Sequence, residues 1–238
     1  MFHAAKALEE AGRLYRDLKN LEKSADLVEE ACGLYVEYGS PETGRIALEK
    51  VAKMLEMNKP ERAIKLFKKA CDVAEAQDNN RVAAEMLGSA ARNAVKIKKF
   101  DEASSALAQQ ATFLGTFDHH GLLPKVAFYS VLVHIARADT VAADKALQAC
   151  MRADEAVAES LEACLAQKLL TAYENSDYDS ALEVINHHEV RNMDNDYVIL
   201  SREIKFPGSS KKGASGSSGG QEASSIPCEE DDGDIDLK

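Results

Sequence analysis

His119-His120 and His187-His188-Glu189 are the first places in this chain where residue type suggests chemistry, because imidazole and carboxylate are metal ligands. Their spacing argues against it. Neighbours on a helix point about 100° apart, and neither group sets two histidines four residues apart on one face. Solvated or helix-capping histidines are expected, and no metal. The five cysteines, Cys32, Cys71, Cys150, Cys164 and Cys228, include no C-x-x-C pair, and an odd, widely spread set does not describe a disulfide framework. Reduced thiols are expected. Cys32 and Cys71, each preceded by alanine at an equivalent point of a repeat, read as small buried packing residues. The one glycine-dense stretch, residues 213–220, lacks the Lys-Ser/Thr and the flanking strand of a phosphate loop. No nucleophile, base and orienting group are brought together. The residues assign no catalytic role, no metal and no cofactor, so the chemistry to look for is that of binding surfaces rather than of an enzyme.

Alanine shows what must position such surfaces. The segments EKSADLVEEA, PERAIKLFKKA, FDEASSALAQQ, TVAADKALQAC and YDSALEVINHH align on Ser24, Ala63, Ala103, Ala143 and Ala181, at spacings of 39, 40, 40 and 38 residues. Four residues after each anchor comes a larger apolar residue: Val28, Phe67, Leu107, Leu147 and Ile185. Seven after, Ala31, Ala70 and Cys150 are small, whereas Gln110 and His188 break the pattern. A second apolar-periodic segment precedes each of the first three anchors, with Gly12, Ala52 and Ala91 as its small residues. Apolar spacing of three to four marks a helix face, and small residues at a crossing let two helix axes approach. Two helices per repeat of about 40 residues follow, a lengthened version of tetratricopeptide-like (TPR-like) hairpins.

The turn clusters Tyr38-Gly39-Ser40-Pro41, Asn58-Lys59-Pro60, Asp78-Asn79-Asn80 and Gly121 to Pro124 divide the chain the same way. The prediction is all-α: a right-handed superhelical solenoid over residues 1–206, with about five hairpins in 2–190 and a short closing helix in 194–205. From Pro207 the sequence PGSSKKGASGSSGGQEASS has too little apolar content to offset ordering entropy, so residues 207–238 are expected to be a disordered linker and tail. It ends on the acidic CEEDDGDIDLK, whose Ile235 and Leu237 make a docking peptide the alternative to a plain solubilising tail.

The net charge of -11 argues against nucleic acid, which needs a dense set of Lys and Arg. The charge is unevenly placed. Residues 45–99 hold thirteen Lys or Arg against seven Asp or Glu, whereas 100–206 hold eight against seventeen. Stacked hairpins present equivalent positions on one surface, so Arg45, Lys50, Lys53, Arg81, Arg92 and Lys96, all from first helices, are expected to add into a basic stripe. Lys65, Lys68 and Lys69 belong to a second helix. The stripe suits an acidic protein partner or an anionic lipid surface. No run of apolar residues is long enough to span a membrane, and the start of the chain lacks a basic-then-apolar signal, so a cytoplasmic protein is expected.

FHAAKALEEAG, EKVAKMLEMNKPERAIKLFKKACDVAE, KKFDEASSALAQQ and the MDNDY of Met193 to Tyr197, in this order and spacing, resemble the soluble NSF attachment proteins, and their gamma type in particular. The resemblance covers nearly all of residues 2–206. It implies an adaptor in membrane fusion that lies along the four-helix SNARE bundle, whose exterior is predominantly acidic, and recruits the ATPase NSF, peripherally on intracellular membranes. It further implies that the acidic tip, with Leu237 penultimate and Asp231, Asp232, Asp234 and Asp236 before it, stimulates the ATPase. Against the family pattern, this chain starts inside a repeat helix. A first layer is therefore expected to be missing, with an apolar face exposed and end-to-end association as the consequence. The alternative of a co-chaperone clamping a peptide carboxylate requires three repeats of 34 residues with a Lys/Asn clamp, and these repeats are longer.

Overall fold

The computed structural model describes residues 2–116 and 121–206. Among the described residues there are thirteen helices and no strand: α1 Phe2–Asp17, α2 Leu21–Glu37, α3 Pro41–Leu55, α4 Pro60–Glu75, α5 Asn80–Lys96, α6 Phe100–Leu114, α7 Leu123–Ala136, α8 Thr140–Ala153, α9 Glu155–Ala158, α10 Leu161–Glu174, α11 Tyr178–Asn186, α12 His188–Arg191 and α13 Asn195–Glu203. Each long helix packs on the next, so α1/α2, α3/α4, α5/α6, α7/α8 and α10/α11 form five stacked hairpins. This is the all-α hairpin stack that the 40-residue periodicity predicts.

The repeat anchors are where the hairpins close. Ser24, Ala63, Ala103, Ala143 and Ala181 are all buried, as are the larger residues four positions on. Gly12 shows why the first-helix anchor is small: a methyl group there would lie 2.9 Å from Val28 Cγ2 and 3.3 Å from the Ser24 carbonyl. Gly44 does the same between hairpins, where a methyl would meet Cys32 at 2.9 Å from Sγ and 3.0 Å from Cα. Cys32, Cys71 and Cys150 are buried among apolar neighbours, and burial pushes the Cys71 thiol up to about 12 and that of Cys150 to about 11. These are inert packing thiols.

The turns are short because one residue ends a helix while the next caps its successor. Asn20, Asn79, Asp139, Ser160 and Asp177 each accept a hydrogen bond from a backbone N–H three residues on, at 2.9–3.3 Å. Immediately before four of these caps and before Lys99 stands a residue at positive φ, of which Lys19, Asp78, Lys98, Ala138 and Ser176 are not glycine. The left-handed conformation costs an L-residue about 1–2 kcal/mol, so it is glycine's natural place. Ala138, at φ 57° and exposed, loses nothing else on replacement. Ala138→Gly is expected to stabilise the chain by about 0.5–1 kcal/mol, read as a rise in thermal midpoint.

Second helices α2, α4 and α6 are tied to one another, and α6 to the C-terminal end of α7, by ion pairs that recur with the repeat. Glu22 pairs with Lys59 at 3.2 Å, Glu61 with Lys99 at 3.1 Å and Asp101 with Arg137 at 2.8 Å. Arg62 reaches Asp26 at 2.6 Å and also Glu29, while Lys69 meets Glu29 at 3.6 Å and Lys68 meets Glu102 at 3.9 Å.

Helix α7 is buried almost all round, consistent with its apolar run from Val126 to Val133, interrupted only by Ser130. Its neighbours are α6, α8, α10 and, less predictably, α13. The last helix does not simply extend the stack. It turns back to lie on α5 and α7, with Tyr197 fully buried and stacked on Tyr129, ring centroids 3.8 Å apart and planes 3° off parallel. At the other end, Ala4, Ala7 and Leu14 of α1 and Leu18 in the turn after it form an exposed apolar stripe, with Leu14 65% and Leu18 74% exposed. The equivalent face of α3 is covered by α2 at Gly44.

Candidate binding face

The six residues expected to form a basic stripe do not fare alike. Arg45 is a correction: it is buried, with Nε and Nη2 donating to both oxygens of Glu42 at 3.0 and 2.6 Å and Nη1 to Glu49 at 2.7 Å. The guanidinium hydrogen bond holds the Glu42 carboxyl below its usual range, and the same bond, with that to Glu49, raises Arg45. At Glu49 burial opposes ionisation, and the bonds from Lys53 and Arg45 outweigh it, so its pKa is lowered as well. Arg45 therefore serves the fold of α3 and offers no charge to a partner. Glu42 and Glu49 stand at i−3 and i+4 from it, a local pairing that regional charge counting overlooks.

The other five remain at the surface. Lys50 is exposed and makes no ion pair among the described residues. Lys53 shares Glu49 at 2.7 Å, and Arg81 meets Glu85 at 3.4 Å, both as exposed neighbours one helical turn apart. Arg92 and Lys96 face the MDNDY segment: Arg92 lies 3.8 Å from Asp194 and Lys96 lies 3.7 Å from Asp196, with Lys98 to Glu203 at 2.8 Å nearby. Such surface pairs contribute about 0–1 kcal/mol each and exchange partners readily. Two further cations belong here. Arg13 and Arg16 of α1 line one hollow with Lys50 of α3, and the acidic balance of the first 44 residues hides them in the sequence. The basic residues of the second helix are committed differently, Lys68 and Lys69 to the inter-repeat pairs above, while Lys65 is exposed.

Between α3, α5 and α7 the first-helix side opens a cleft of about 270 Å³, bordered by Lys53, Arg92, Glu85, Tyr129 and Asp194. Its wall holds Gln110, one of the two breaks in the repeat. Ala31 and Ala70 occupy the equivalent point in the first two hairpins; here a buried carboxamide fits because Gly88 opposite has no side chain, and a methyl there would lie 2.7 Å from Gln110 Nε2.

The remaining candidates resolve simply. His187 caps α12, its Nδ1 accepting from the Glu189 N–H at 3.3 Å, and His188 is exposed beside Glu189. No group of three metal-ligand side chains gathers among the described residues, and no helix there is long and apolar enough to cross a membrane. His119 and His120, Cys228, and the tail residues Asp231, Asp232, Asp234, Asp236 and Leu237 lie outside the described residues.

Stacked helical hairpins with surface basic residues gathered on their first-helix side define the class as a helical-repeat protein. The family model of soluble NSF attachment proteins (SNAP) matches residues 2–205, and the chain belongs to that family. It is similar to the gamma-soluble NSF attachment protein of Arabidopsis thaliana, 28% identical over 201 residues, which are 84% of this chain and 69% of the relative. It is also similar to the protein of the same name in Dictyostelium discoideum, 26% identical over 203 residues, covering 85% of this chain and 62% of that relative. The chain thus spans less than two thirds of the second relative's length.

Proposed function

We propose that this chain is a non-enzymatic adaptor of vesicle fusion that binds SNARE bundles along its first-helix side and recruits NSF, the ATPase that takes them apart. The match to the attachment-protein family over residues 2–205 carries this reading. The SNARE-facing residues are Lys50, Lys53, Arg81, Arg92 and Lys96, joined by Arg13 and Arg16. Their availability supports the assignment, since none is enclosed as Arg45 is. Arg92 is held by a pair to Asp194 at 3.8 Å and a hydrogen bond to Ser89 Oγ at 3.2 Å, and Lys96 by a pair to Asp196 at 3.7 Å, exposed contacts that an acidic partner can replace at little cost.

The ATPase is engaged by the acidic C-terminal half and tail, with Leu237 and the flanking Asp231, Asp232, Asp234 and Asp236 as the stimulating element. Carboxylates speed encounter by long-range attraction, and burial of one leucine contributes about 1.5–3 kcal/mol, enough to bias a conformational equilibrium. The setting is cytoplasmic, peripheral on intracellular membranes, in transport between endoplasmic reticulum, Golgi and endosomes.

Purified SNARE bundle, NSF and ATP, with and without this chain, test the reading by the rate of bundle disassembly. The chain is expected to accelerate it. Leu237→Ala is expected to retain bundle binding and to lose at least several-fold of the acceleration. A chain that neither binds bundle nor accelerates disassembly would contradict the adaptor role.

A further inference from the structure

Ala4, Ala7, Ala11 and Leu14 of α1, with Leu18 in the turn after it, recur at spacings of three and four residues, so they lie along one line of the helix surface. The Leu18 N–H still bonds to the Leu14 carbonyl at 3.0 Å, which keeps Leu18 in that line. Ala11 is half-buried and the other four are exposed, Leu14 and Leu18 being the two most exposed leucines among the described residues. Along one flank of the line stand Lys6, Glu10, Arg13 and Asp17, all exposed and alternating in sign. The other flank carries Leu8 and Tyr15, both partly buried.

We infer that this face is the contact of a symmetric dimer, in which α1 packs antiparallel on α1 of a second copy of this chain. The inference is independent of the adaptor reading and needs no other partner. It gives a closed form to the end-to-end association expected from the sequence, because a contact that uses the same face on both copies stops at two.

Size and charge select the same register. The line begins on alanines and ends on leucines. With the two-fold axis between Ala11 and Gly12, Leu14 of one copy comes between Ala7 and Ala11 of the other, and Leu18 between Ala4 and Ala7. Each large residue enters a gap beside small ones, whereas a parallel pair would set leucine against leucine. In an antiparallel pair each flank also meets its own copy, while in a parallel pair it meets the opposite flank. The order plus, minus, plus, minus is complementary to its own reverse. The axis that seats the leucines therefore sets Lys6 opposite Asp17 and Glu10 opposite Arg13, twice each by symmetry. In a parallel pair the same charges would face Leu8 and Tyr15. Their present neighbours are readily exchanged: Arg13 stands 3.6 Å from Glu10 and Arg16 stands 2.9 Å from Asp17, all at least partly exposed.

Sedimentation of the purified 238-residue chain at increasing concentration tests the inference. Monomer is expected to pass to dimer, with no larger species. Leu14→Glu is expected to stay monomeric with an unchanged thermal midpoint, since that side chain is exposed. Glu10→Arg and Arg13→Glu are each expected to weaken the dimer about tenfold. An equimolar mixture of these two chains is expected to regain the affinity of the unchanged chain as a heterodimer, because each altered charge then meets its opposite. A chain that stays monomeric throughout, or one that grows into larger assemblies, would overturn the inference. A dimer that survives Leu14→Glu would place the contact elsewhere and overturn it as well. Single variants that dimerise as tightly as the unchanged chain, or a mixture no tighter than its components, would overturn the antiparallel pairing.

Discussion

Tyr197→Ala is expected to destabilise the chain by about 3–5 kcal/mol, a large part of the stability of an ordinary domain. The reason lies in how α13 is held. Three ion pairs connect its segment to α5 and the turn after it, through Arg92, Lys96 and Lys98. As exposed pairs they sum to no more than about 3 kcal/mol and are screened by salt. The Tyr197 ring is enclosed and stacked at 3.8 Å on Tyr129, whose hydroxyl accepts from the Asp194 N–H at 3.4 Å. Burial of the ring therefore outweighs the pairs. The Tyr197 hydroxyl makes no hydrogen bond among the described residues, so Tyr197→Phe keeps the stack and is expected to cost less than about 1 kcal/mol. Chemical unfolding of the two variants checks both figures.

The same joint sets a limit at high pH. Burial raises the Tyr129 phenol from about 10 to about 12 and raises Tyr197 further. A phenol whose pKa is raised on folding contributes stability that is complete below its unfolded pKa near 10 and is lost as pH climbs towards the folded value. Stability is expected to hold from neutral pH to about 9.5 and then decline. The decline should be shallower in Tyr197→Phe, which has one fewer buried phenol to ionise.

The largest functional effect is expected from reversing Lys50, Lys53 and Arg81 to glutamate together. Each is exposed and helix-borne, and their carboxylate neighbours lie one turn away at most, so the fold should lose little. Against an acidic partner each reversal removes an attraction and adds a repulsion of roughly 0.5–1 kcal/mol. Three together predict bundle affinity about 10- to 150-fold weaker at low salt. At physiological salt the difference should shrink, because charges farther apart than about 8 Å are then largely screened.

Much of this architecture could be read from the residues. The anchors at Ser24, Ala63, Ala103, Ala143 and Ala181 located all five crossings, since a small residue in a repeat has little reason to recur except close approach. What escaped was long-range. Tyr129 and Tyr197 each look like ordinary helix-face residues, and nothing local says that they stack across 68 positions and bring α13 back over α5. Gln110 looked like a fault in the repeat until Gly88 stood opposite. Arg45 differs from its expected place for the opposite reason: its partners Glu42 and Glu49 are close in sequence, and their local pairing outweighs the regional excess of positive charge. The inter-repeat pairs of Lys59, Lys68, Lys69 and Lys99 show the same thing from the other side, as part of that excess is consumed in tying second helices together.

Whether the first-helix side carries the partner is decided most directly by titrating purified SNARE bundle with three proteins at low and at physiological salt. These are the unchanged chain, Lys50→Glu/Lys53→Glu/Arg81→Glu, and a control with Lys65, Lys68 and Lys69 reversed on the second helix. Docking on the first-helix side requires strong, salt-sensitive binding by the unchanged chain, loss of most of it in the first variant, and near-normal binding by the control once its folding is verified. Equal weakening of both variants, or a first variant that binds like the unchanged chain, would contradict it.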